Sequence, residues 1–235
     1  MNGAFFAVHS GLEREGPGEP ADVARAAEVL GLARDARILD AGCGPGADIA
    51  ALLEAAPEGH VTARDTHAPF VARVSEAWAG DPRVAAEVAS MTEPGGPFDL
   101  IWSAGALYNL GLRDGLGALR ELVAEGGAIA FSHPCLFEPD PNFDPAEMWG
   151  DEPVGTKSDI ADAVAATGWE SLETWRLSDA AWERYYQPLE ARCDALEREA
   201  SDDLLAAIGA SRAEIAAWRR WRRQTGYLLT VARAA

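Results

Sequence analysis

The sequence predicts an α/β fold of the doubly wound type, with a mostly parallel sheet covered by helices on both faces. Short apolar runs alternate with segments of helical periodicity, and a glycine-rich turn, residues 42–46, follows the first run. Strands that alternate with helices are joined by right-handed crossovers, which makes the strands parallel. A chain of 235 residues, 48% of them hydrophobic, can bury one full core, so we expect a single domain over 1–235.

In the first half of the chain, the predicted elements are bounded by residues that favour turns. Pro57 and Gly59 separate the first helix from the second strand. Pro69 suits the first turn of a helix, and Gly80 ends that helix. The predicted strands are 38–41, 60–63, 83–88 and 98–103, and the predicted helices are 47–53 and 69–78.

The second half continues the alternation and adds irregular features. Residues 133–157 are rich in proline and aromatic residues without periodicity, which predicts a functional loop. Helical spacing over 179–208 and 213–223 predicts a helical insertion, 179–223, before the last strand, and residues 1–20 are expected to form an N-terminal arm. The remaining predictions are helix 112–123 ended by Gly126 and Gly127, strand 128–132, helix 158–167 capped by Ser158, and strands 171–177 and 226–232.

The composition argues against several classes of partner. With 38 acidic and 20 basic residues, the formal net charge is −18, which repels nucleic-acid phosphates. Cys43, Cys135 and Cys193 show no disulfide or metal-ligand spacing. No run approaches the ~18 apolar residues of a membrane span, and the first residues do not resemble a signal peptide. We therefore expect a cytoplasmic protein with a small-molecule substrate and without metal, membrane or nucleic-acid partners.

Residues 40–46 form the most informative motif, in which Asp40 precedes Gly42, Gly44 and Gly46 between a strand and a helix start. Glycine permits positive φ and close approach of a ligand, and a helix N-terminus offers unpaired N–H groups. Asp65 lies at the end of the next strand, about 20 residues further on, where a carboxylate can accept both ribose hydroxyls of an adenosine. The pattern therefore predicts a cofactor site built largely from backbone.

The Asp-x-Gly-x-Gly-x-Gly pattern resembles the first motif of class I S-adenosylmethionine-dependent methyltransferases. A nicotinamide fingerprint would place a glycine at Ala47, although some dinucleotide folds tolerate alanine there, and Asp40 favours the methyltransferases. Residues 9–18, 105–111 and 182–192 resemble segments of a subgroup of small-molecule methyltransferases of uncertain substrate. The resemblance implies a seven-stranded sheet whose antiparallel last strand lies beside the fifth, with the helical insertion as a lid.

The resemblance also implies the reaction, in which S-adenosyl-L-methionine donates a methyl group to a small-molecule acceptor by in-line displacement and leaves S-adenosyl-L-homocysteine. Many relatives have an aspartate after the third strand that holds the adenine amino group, whereas this chain has Ser90 and Met91, and a serine hydroxyl accepts more weakly. The residues expected to bind the cofactor are Asp40, Gly42, Cys43, Gly44, Gly46, Asp65, Thr66, Ser90, Met91, Ser103 and, from the N-terminal arm, Arg14.

Two residues are candidates for catalysis if the acceptor has to lose a proton. His133, after the fifth strand, is the first candidate for a general base, and Tyr108 is the second. The alternative for His133 is a hydrogen bond that only anchors the loop. The residues expected to bind the substrate are Tyr108, Asn109, Trp149, Tyr185, Tyr186 and Arg192. Aromatic residues at helical spacing also suit an ordinary core, which is the alternative for the two neighbouring tyrosines of the insertion.

The sequence leaves two other functions open. An NAD(P)-binding oxidoreductase shares the sheet and the ribose carboxylate, but such enzymes are expected to carry a Tyr-x-x-x-Lys or comparable pair, and Lys157 is the only lysine. A regulator or scaffold that binds S-adenosylmethionine without catalysis is the other alternative. The identity of the acceptor, the kind of atom that is methylated and the oligomeric state also stay open, with a homodimer as one arrangement that the sequence permits.

Overall fold

A seven-stranded sheet forms the centre of the fold in the computed structural model, which describes residues 3–235. The strands are β1 (Arg37–Ala41), β2 (His60–Asp65), β3 (Val84–Val88), β4 (Phe98–Ala104), β5 (Val123–Leu136), β6 (Trp169–Arg176) and β7 (Thr225–Ala234). Their order is β3-β2-β1-β4-β5-β7-β6. Strands β1 to β5 pair in parallel, and β7 runs antiparallel to both β5 and β6. The predicted doubly wound sheet with an antiparallel last strand is therefore confirmed.

Helices cover both faces of this sheet. They are α1 (Gly3–His9), α2 (Pro20–Leu30), α3 (Ile49–Ala55), α4 (Ala68–Ala77), α5 (Leu112–Arg120), α6 (Ala146–Trp149), α7 (Lys157–Ala166), α8 (Asp179–Leu196) and α9 (Asp202–Trp221). Because neighbouring residues of a strand point to opposite faces, Ile38 and Leu100 belong to one core cluster and Leu39 and Ile101 to the other. In the described part of the chain, no helix is both long enough and apolar enough to cross a membrane.

The connections between strands leave a crevice between β1 and β4. The chain runs outward from β1 through α3, β2, α4 and β3, and then returns to β4 on the other side of β1. Leu52 of α3 and Val74 of α4 pack in one core cluster, whereas Leu116 of α5 packs in the other. Ligands of such sheets bind outside the carboxyl ends of the strands at this switch point. The glycine turn that follows β1 lies there.

The boundaries predicted around β5 are wrong at both ends of the strand. The helix predicted at 112–123 stops at Arg120, because β5 begins at Val123 and pairs with Phe98. The glycines expected to end that helix lie inside β5, next to a shift in its register with β4. The strand continues to Leu136, so the first residues of the predicted loop 133–157 are strand residues paired with β7.

Other boundaries also differ from the predictions. Helix α7 is capped by Thr156, whose hydroxyl accepts from the Asp159 N–H, and not by Ser158. The helix predicted over 179–208 is interrupted, because Ser201 caps a new helix, α9. The predicted arm 1–20 contains α1 and reaches the start of α2, an additional helix whose periodicity the prediction missed.

Truncation of Ile101 tests the position of the core. This residue of β4 is fully buried in the core cluster on one face of the sheet. We expect Ile101→Ala to lower the free energy of unfolding by about 2–5 kcal/mol, because the removed methyl groups leave a cavity in a packed strand. Urea denaturation measures this change. Leu172→Ala in β6, where the side chain is 40% exposed, is the control and should cost less than about 1 kcal/mol. Equal losses in the two variants would contradict the assigned core.

Candidate functional site

Two neighbouring cavities open at the switch point of the sheet. The first, about 460 Å³, is called the turn cavity; it is lined by the glycine turn and by Asp40, Asp65 and Ser90. The second, about 720 Å³, is called the lid cavity; it is lined by His133, Trp149, Glu214 and Tyr227. Tyr108, on the short 3-10 helix Leu107–Leu110 after β4, lines both cavities. The two spaces therefore meet at one side chain.

The glycine turn is held against β2 by its own backbone. The amides of Gly42 and Cys43 both donate to the carbonyl oxygen of Arg64, each at 2.9 Å. Gly42 has a φ of 78°, and a Cβ at this position would overlap the Cβ of Ala106. Glycine is thus required here both by the backbone angle and by the close approach of the segment after β4.

Asp65 is held at the end of β2 by two backbone amides. Its Oδ2 accepts from the Gly44 amide at 2.9 Å, and its Oδ1 accepts from the His67 amide at 2.8 Å. A carboxylate has about four acceptor positions, so two stay available toward the turn cavity. This geometry places Asp65 where the sequence predicted a ribose-binding carboxylate.

Negative charge is concentrated at the bottom of the turn cavity. Asp40 is only 3% exposed, and its Oδ2 is buried without a hydrogen-bond partner. Burial raises the pKa of Asp40 well above its ordinary value, and the nearby carboxylates of Asp48 and Asp65 raise it further. Asp48 accepts from the indole N–H of Trp102 at 2.9 Å and from Arg14 at 3.3 Å. The cavity therefore offers one unpaired carboxylate oxygen in an electronegative setting.

The N-terminal segment covers the turn cavity. Arg14 is buried, and its Nε donates to the carbonyl oxygen of Gly16 at 2.5 Å while a terminal nitrogen contacts Asp48. Phe6 of α1 stacks on His67 with ring centroids 3.9 Å apart. The structure thus brings Arg14 to the predicted site and places an aromatic pair at the rim of the cavity.

The other predicted cofactor residues divide into two groups. Cys43, Thr66, Ser90 and Met91 line the turn cavity. Gly46 and Ser103 lie outside its lining. Gly46 packs near Val74, and the Ser103 hydroxyl is fully buried and donates to the carbonyl oxygen of Ala41 at 3.0 Å. These two residues therefore stabilise the turn and the strand and do not form part of the cavity wall.

The lid cavity contains the predicted base. His133 is 8% exposed, and its Nδ1 is buried without a hydrogen-bond partner. Burial lowers the pKa of His133 to about 4, so the imidazole is neutral near pH 7 and one ring nitrogen can accept a proton. Trp149 stacks on Tyr227 at 5.7 Å, and its indole N–H donates to the Thr225 hydroxyl at 2.8 Å. The cavity thus combines a neutral imidazole with a stacked aromatic wall.

Only some of the predicted substrate residues line the lid cavity. Tyr108 and Trp149 do, and Asn109 lines the turn cavity while its amide donates to the Ala106 carbonyl oxygen at 2.9 Å. Tyr185, Tyr186 and Arg192 do not line the lid cavity. The Tyr186 hydroxyl donates to Glu214 at 2.9 Å, and Arg192 donates to the carbonyl oxygen of Ala7 at 3.3 Å. Tyr185 is buried beside a small separate pocket that Arg14 also lines.

Sequence reasoning missed three residues of the site. Asp48 directly precedes α3 and could have been found as a second acidic residue beside the glycine turn. Glu214 and Tyr227 are distant in sequence from the motif and reach the lid cavity from α9 and β7. No local pattern distinguishes them from other residues of a helix or a strand. In residues 3–235, no group of three or more His, Cys, Asp or Glu side chains is placed to hold a metal ion.

Part of this chain is similar in sequence to known proteins. Residues 38–127 match a family model described as a methyltransferase domain. The malonyl-[acyl-carrier protein] O-methyltransferase of Pseudescherichia vulneris is 36% identical over 104 residues, which are 44% of this chain and 41% of that protein. The chain therefore spans about two fifths of the length of the curated relatives that it matches.

Solved structures are similar over the whole chain. A SAM-dependent methyltransferase from Geobacter sulfurreducens, in complex with S-adenosyl-L-homocysteine, has a TM-score of 0.83 at 17% identity and covers 100% of this chain and 99% of that one. The [4+2]-cyclase SpnF has a TM-score of 0.75 at 16% identity and covers 98% of this chain and 92% of that one. The chain thus has the fold of these two structures, and the similarity of its first motif to a methyltransferase domain is confirmed over residues 38–127.

Replacement of Gly42 tests whether the turn requires a residue without a Cβ. We expect Gly42→Ala to destabilise the protein by about 1–3 kcal/mol or more, because alanine at positive φ is strained and its Cβ overlaps Ala106. Urea denaturation gives the free energy of unfolding. Gly80→Ala is the matched control, because no atom lies within 4 Å of its added Cβ and its φ is not in the left-handed region. A loss at Gly42 no larger than that of the control would argue against the packed turn.

The buried imidazole of His133 makes stability depend on pH. Its pKa is lowered from 6.5 to about 4, so the unfolded chain takes up this proton first as the pH falls. The contribution of His133 to stability is therefore complete above pH 6.5 and is lost as the pH falls toward 4. At 1.36 kcal/mol per pKa unit, we expect the free energy of unfolding to be about 2 kcal/mol lower near pH 5 than at neutral pH.

Urea denaturation of the wild-type protein and of His133→Gln at neutral pH and near pH 5 measures this contribution. The wild-type protein should lose about 2 kcal/mol more than the variant, because glutamine does not titrate. Parallel pH dependence in the two proteins would mean that His133 is accessible to protons in the folded state.

Proposed function

We propose that this chain, which carries a methyltransferase domain in the class I fold, transfers a methyl group from S-adenosyl-L-methionine to a small-molecule acceptor. The observation that carries the proposal is the turn cavity, in which a glycine turn meets the carboxylates of Asp40 and Asp65. The match to the methyltransferase domain covers residues 38–127, which include this turn and both carboxylates.

The residues of the turn cavity fit S-adenosyl-L-methionine in charge and in shape. This cofactor carries a positive sulfonium, a positive ammonium group and one carboxylate. The buried Asp40 Oδ2 has no partner and can accept from the ammonium group, and Asp65 has acceptor positions left for the ribose hydroxyls. Arg14 lies at the same cavity and supplies a positive group for the carboxylate. Ser90 and Met91 line the end expected to hold adenine.

The same charges disfavour the nicotinamide alternative. NAD carries a pyrophosphate with two negative charges, which dinucleotide folds place at the glycine turn. Here Asp40, Asp48 and Asp65 all lie around that turn, so a pyrophosphate would meet like charges. An adenosyl sulfonium would instead meet opposite charges. The electrostatics of the cavity thus favour S-adenosyl-L-methionine as the cofactor.

The residues of the chain align the reactants and exclude water. When bound, S-adenosyl-L-methionine supplies a methyl group on a positively charged sulfur. Tyr108 lies between the two cavities, so an acceptor in the lid cavity can approach the turn cavity past its ring. Alignment of this kind accounts for much of the barrier reduction in a displacement reaction. His133, neutral and with a free Nδ1, can take a proton from an acceptor that has to lose one.

The proposal extends to the organisation and setting of the protein. We infer one domain over 1–235, in which the segment 1–20 covers the cofactor and 179–223 closes the acceptor side. The free and buried cysteines agree with a reducing, cytoplasmic setting. The net charge of −18 argues against a nucleic-acid partner, and a homodimer is compatible with the proposal.

The names of the curated relatives do not extend to the acceptor of this chain. Those proteins are named as O-methyltransferases of a malonyl group on an acyl-carrier protein. The family match ends at residue 127, before His133, Trp149 and Glu214 of the lid cavity. The acceptor therefore depends on residues that lie outside the family match.

Thermal unfolding of the purified chain with S-adenosyl-L-methionine, S-adenosyl-L-homocysteine and NAD tests the cofactor. A ligand at ~100 times its dissociation constant should stabilise the folded protein by about 2.7 kcal/mol, which is a readily measured shift. We expect the two adenosyl compounds to stabilise the protein and NAD to have no effect. Stabilisation by NAD alone would favour the oxidoreductase, and binding without methyl transfer to any compound of a metabolite panel would favour a non-catalytic role.

Asp65→Ala should weaken binding of S-adenosyl-L-homocysteine by about tenfold or more, because the variant loses the charged acceptor and the bonds that hold the turn. Isothermal titration calorimetry measures the dissociation constant. Asp35→Ala, at an exposed aspartate before β1, is the control and should leave it unchanged. An unchanged constant in the Asp65 variant would place the ligand elsewhere.

A further inference from the structure

The lid cavity has the size and the aromatic walls of a site for a small organic molecule. Its volume of about 720 Å³ lies in the range of ordinary ligand sites. Three aromatic side chains, Tyr108, Trp149 and Tyr227, line it, and two of them are stacked on each other. Aromatic faces attract cations through the negative charge of their π-systems.

The charged groups of this cavity are mostly negative. The carboxylates that line it are Asp114, Glu152, Asp159, Asp162 and Glu214. The only arginine or lysine along the cavity in the described chain is Arg113, which is exposed. Asp159 is already engaged, because it accepts from the N–H and the hydroxyl of Thr156. The remaining exposed carboxylates give the mouth of the cavity a negative potential.

Glu214 is the carboxylate with the least exposure to solvent along the cavity wall. Its Oε1 accepts from the Tyr186 hydroxyl at 2.9 Å, and within residues 3–235 it forms no ion pair. Burial raises the pKa of Glu214, although the hydrogen bond from Tyr186 and the positive charge that His9 can carry act in the opposite direction. Glu214 is half-buried and forms no direct ion pair, so a cationic ligand beside it would supply a direct charge partner.

His133 is a second and independent indication of a polar ligand. The side chain is more than nine-tenths buried and lines the lid cavity, and its Nδ1 has no hydrogen-bond partner. Buried polar atoms are almost always paired, so an unpaired one in a cavity wall marks a position for a ligand atom. The imidazole is neutral near pH 7 and therefore adds no positive charge that would repel a cation.

We propose that the lid cavity binds a small organic amine in its ammonium form, between the aromatic walls and Glu214, as the methyl acceptor. The proposal rests on the proposed methyltransferase function and specifies its substrate class. The ammonium group lies against Trp149 and Tyr227, and its N–H groups donate to Glu214 and to the free nitrogen of His133. An acceptor with a carboxylate or phosphate would meet like charges at the same positions.

Methylation of such an amine balances without a further reactant. The bound ammonium gives one proton to the Nδ1 of His133, and the amine nitrogen uses its lone pair to form the bond to the methyl carbon. The carbon–sulfur bond breaks, and its electron pair stays on sulfur as a thioether. The nitrogen becomes positively charged again, and the proton on the imidazole passes to solvent.

Isothermal titration of the full chain with matched compounds tests this assignment. One set is N,N-dimethylethanolamine, 3-methyl-1-butanol and 3-methylbutanoate, and the other is phenethylamine, 2-phenylethanol and 3-phenylpropanoate. The three members of each set differ mainly in charge. Binding of S-adenosyl-L-homocysteine is measured first, so that loss of the proposed function is recognised separately. If it does not bind, the cofactor assignment fails, and the compounds are then titrated without it.

We expect at least one amine to bind about tenfold or more tightly than the neutral and anionic members of its set. Glu214→Gln should remove most of that preference, while the glutamine can still accept from Tyr186. Glu125→Gln, at an exposed glutamate of β5 outside both cavities, is the matched control and should keep the preference. Transfer of a labelled methyl group to nitrogen of the bound amine would identify it as an acceptor.

Three outcomes would overturn the assignment. One is tighter binding of the carboxylates, another is equal binding of all members of both sets, and the third is no binding of either amine. An amine preference that survives intact in Glu214→Gln would equally remove Glu214 from the site. Because the comparison of compounds is made on the wild-type protein, poor folding of a variant cannot hide the result.

Discussion

The geometry of the site depends on the turn that leads from β1 into α3. Two of its amides donate to the carbonyl oxygen of Arg64, and a third, that of Gly44, donates to the carboxylate of Asp65. These three hydrogen bonds join the carboxyl ends of β1 and β2. Asp40, on one strand, and Asp65, on the other, therefore face the same cavity. The backbone can come this close to the segment after β4 only because residue 42 lacks a Cβ.

The acidic groups around the turn oppose folding and favour a positively charged ligand. Trp102 and Arg14 offset part of the cost at Asp48, but the Oδ2 of Asp40 has no partner. Groups with strongly shifted pKa values that are also unpaired concentrate at functional sites, because the structure retains them for ligand chemistry. An unpaired polar atom also occurs in the lid cavity, where the Nδ1 of His133 has no partner and Glu214 forms no direct ion pair in the described chain. Both cavities thus favour positive groups, which is consistent with an adenosyl sulfonium on one side and an amine on the other.

Prediction from sequence succeeded for the sheet and was weaker for element boundaries. Most of the residues expected to bind the cofactor line the turn cavity, and their role in binding stays a prediction. The alternation of periodicities indicated the strands because each buried strand needs a helix to cover it. Glycines near the end of a helical pattern predict a helix end, but those of β5 lie between Val123, which pairs with β4, and Ala128, which pairs with both β4 and β7. Propensity describes a residue alone, whereas strand pairing depends on neighbours that are far away in sequence.

The doubly wound sheet, the glycine turn and the acidic residues beside it could be predicted from the amino-acid sequence, because these features depend on residues close together in the chain. Which side chains line the lid cavity depends on how the helices pack in three dimensions. Tyr185, Tyr186 and Arg192 were expected there, and packing of α8 against α9 turns them to the core and to α1. Glu214 enters the cavity instead, since helix packing selects one face of α9 and periodicity alone cannot say which partner that face will meet.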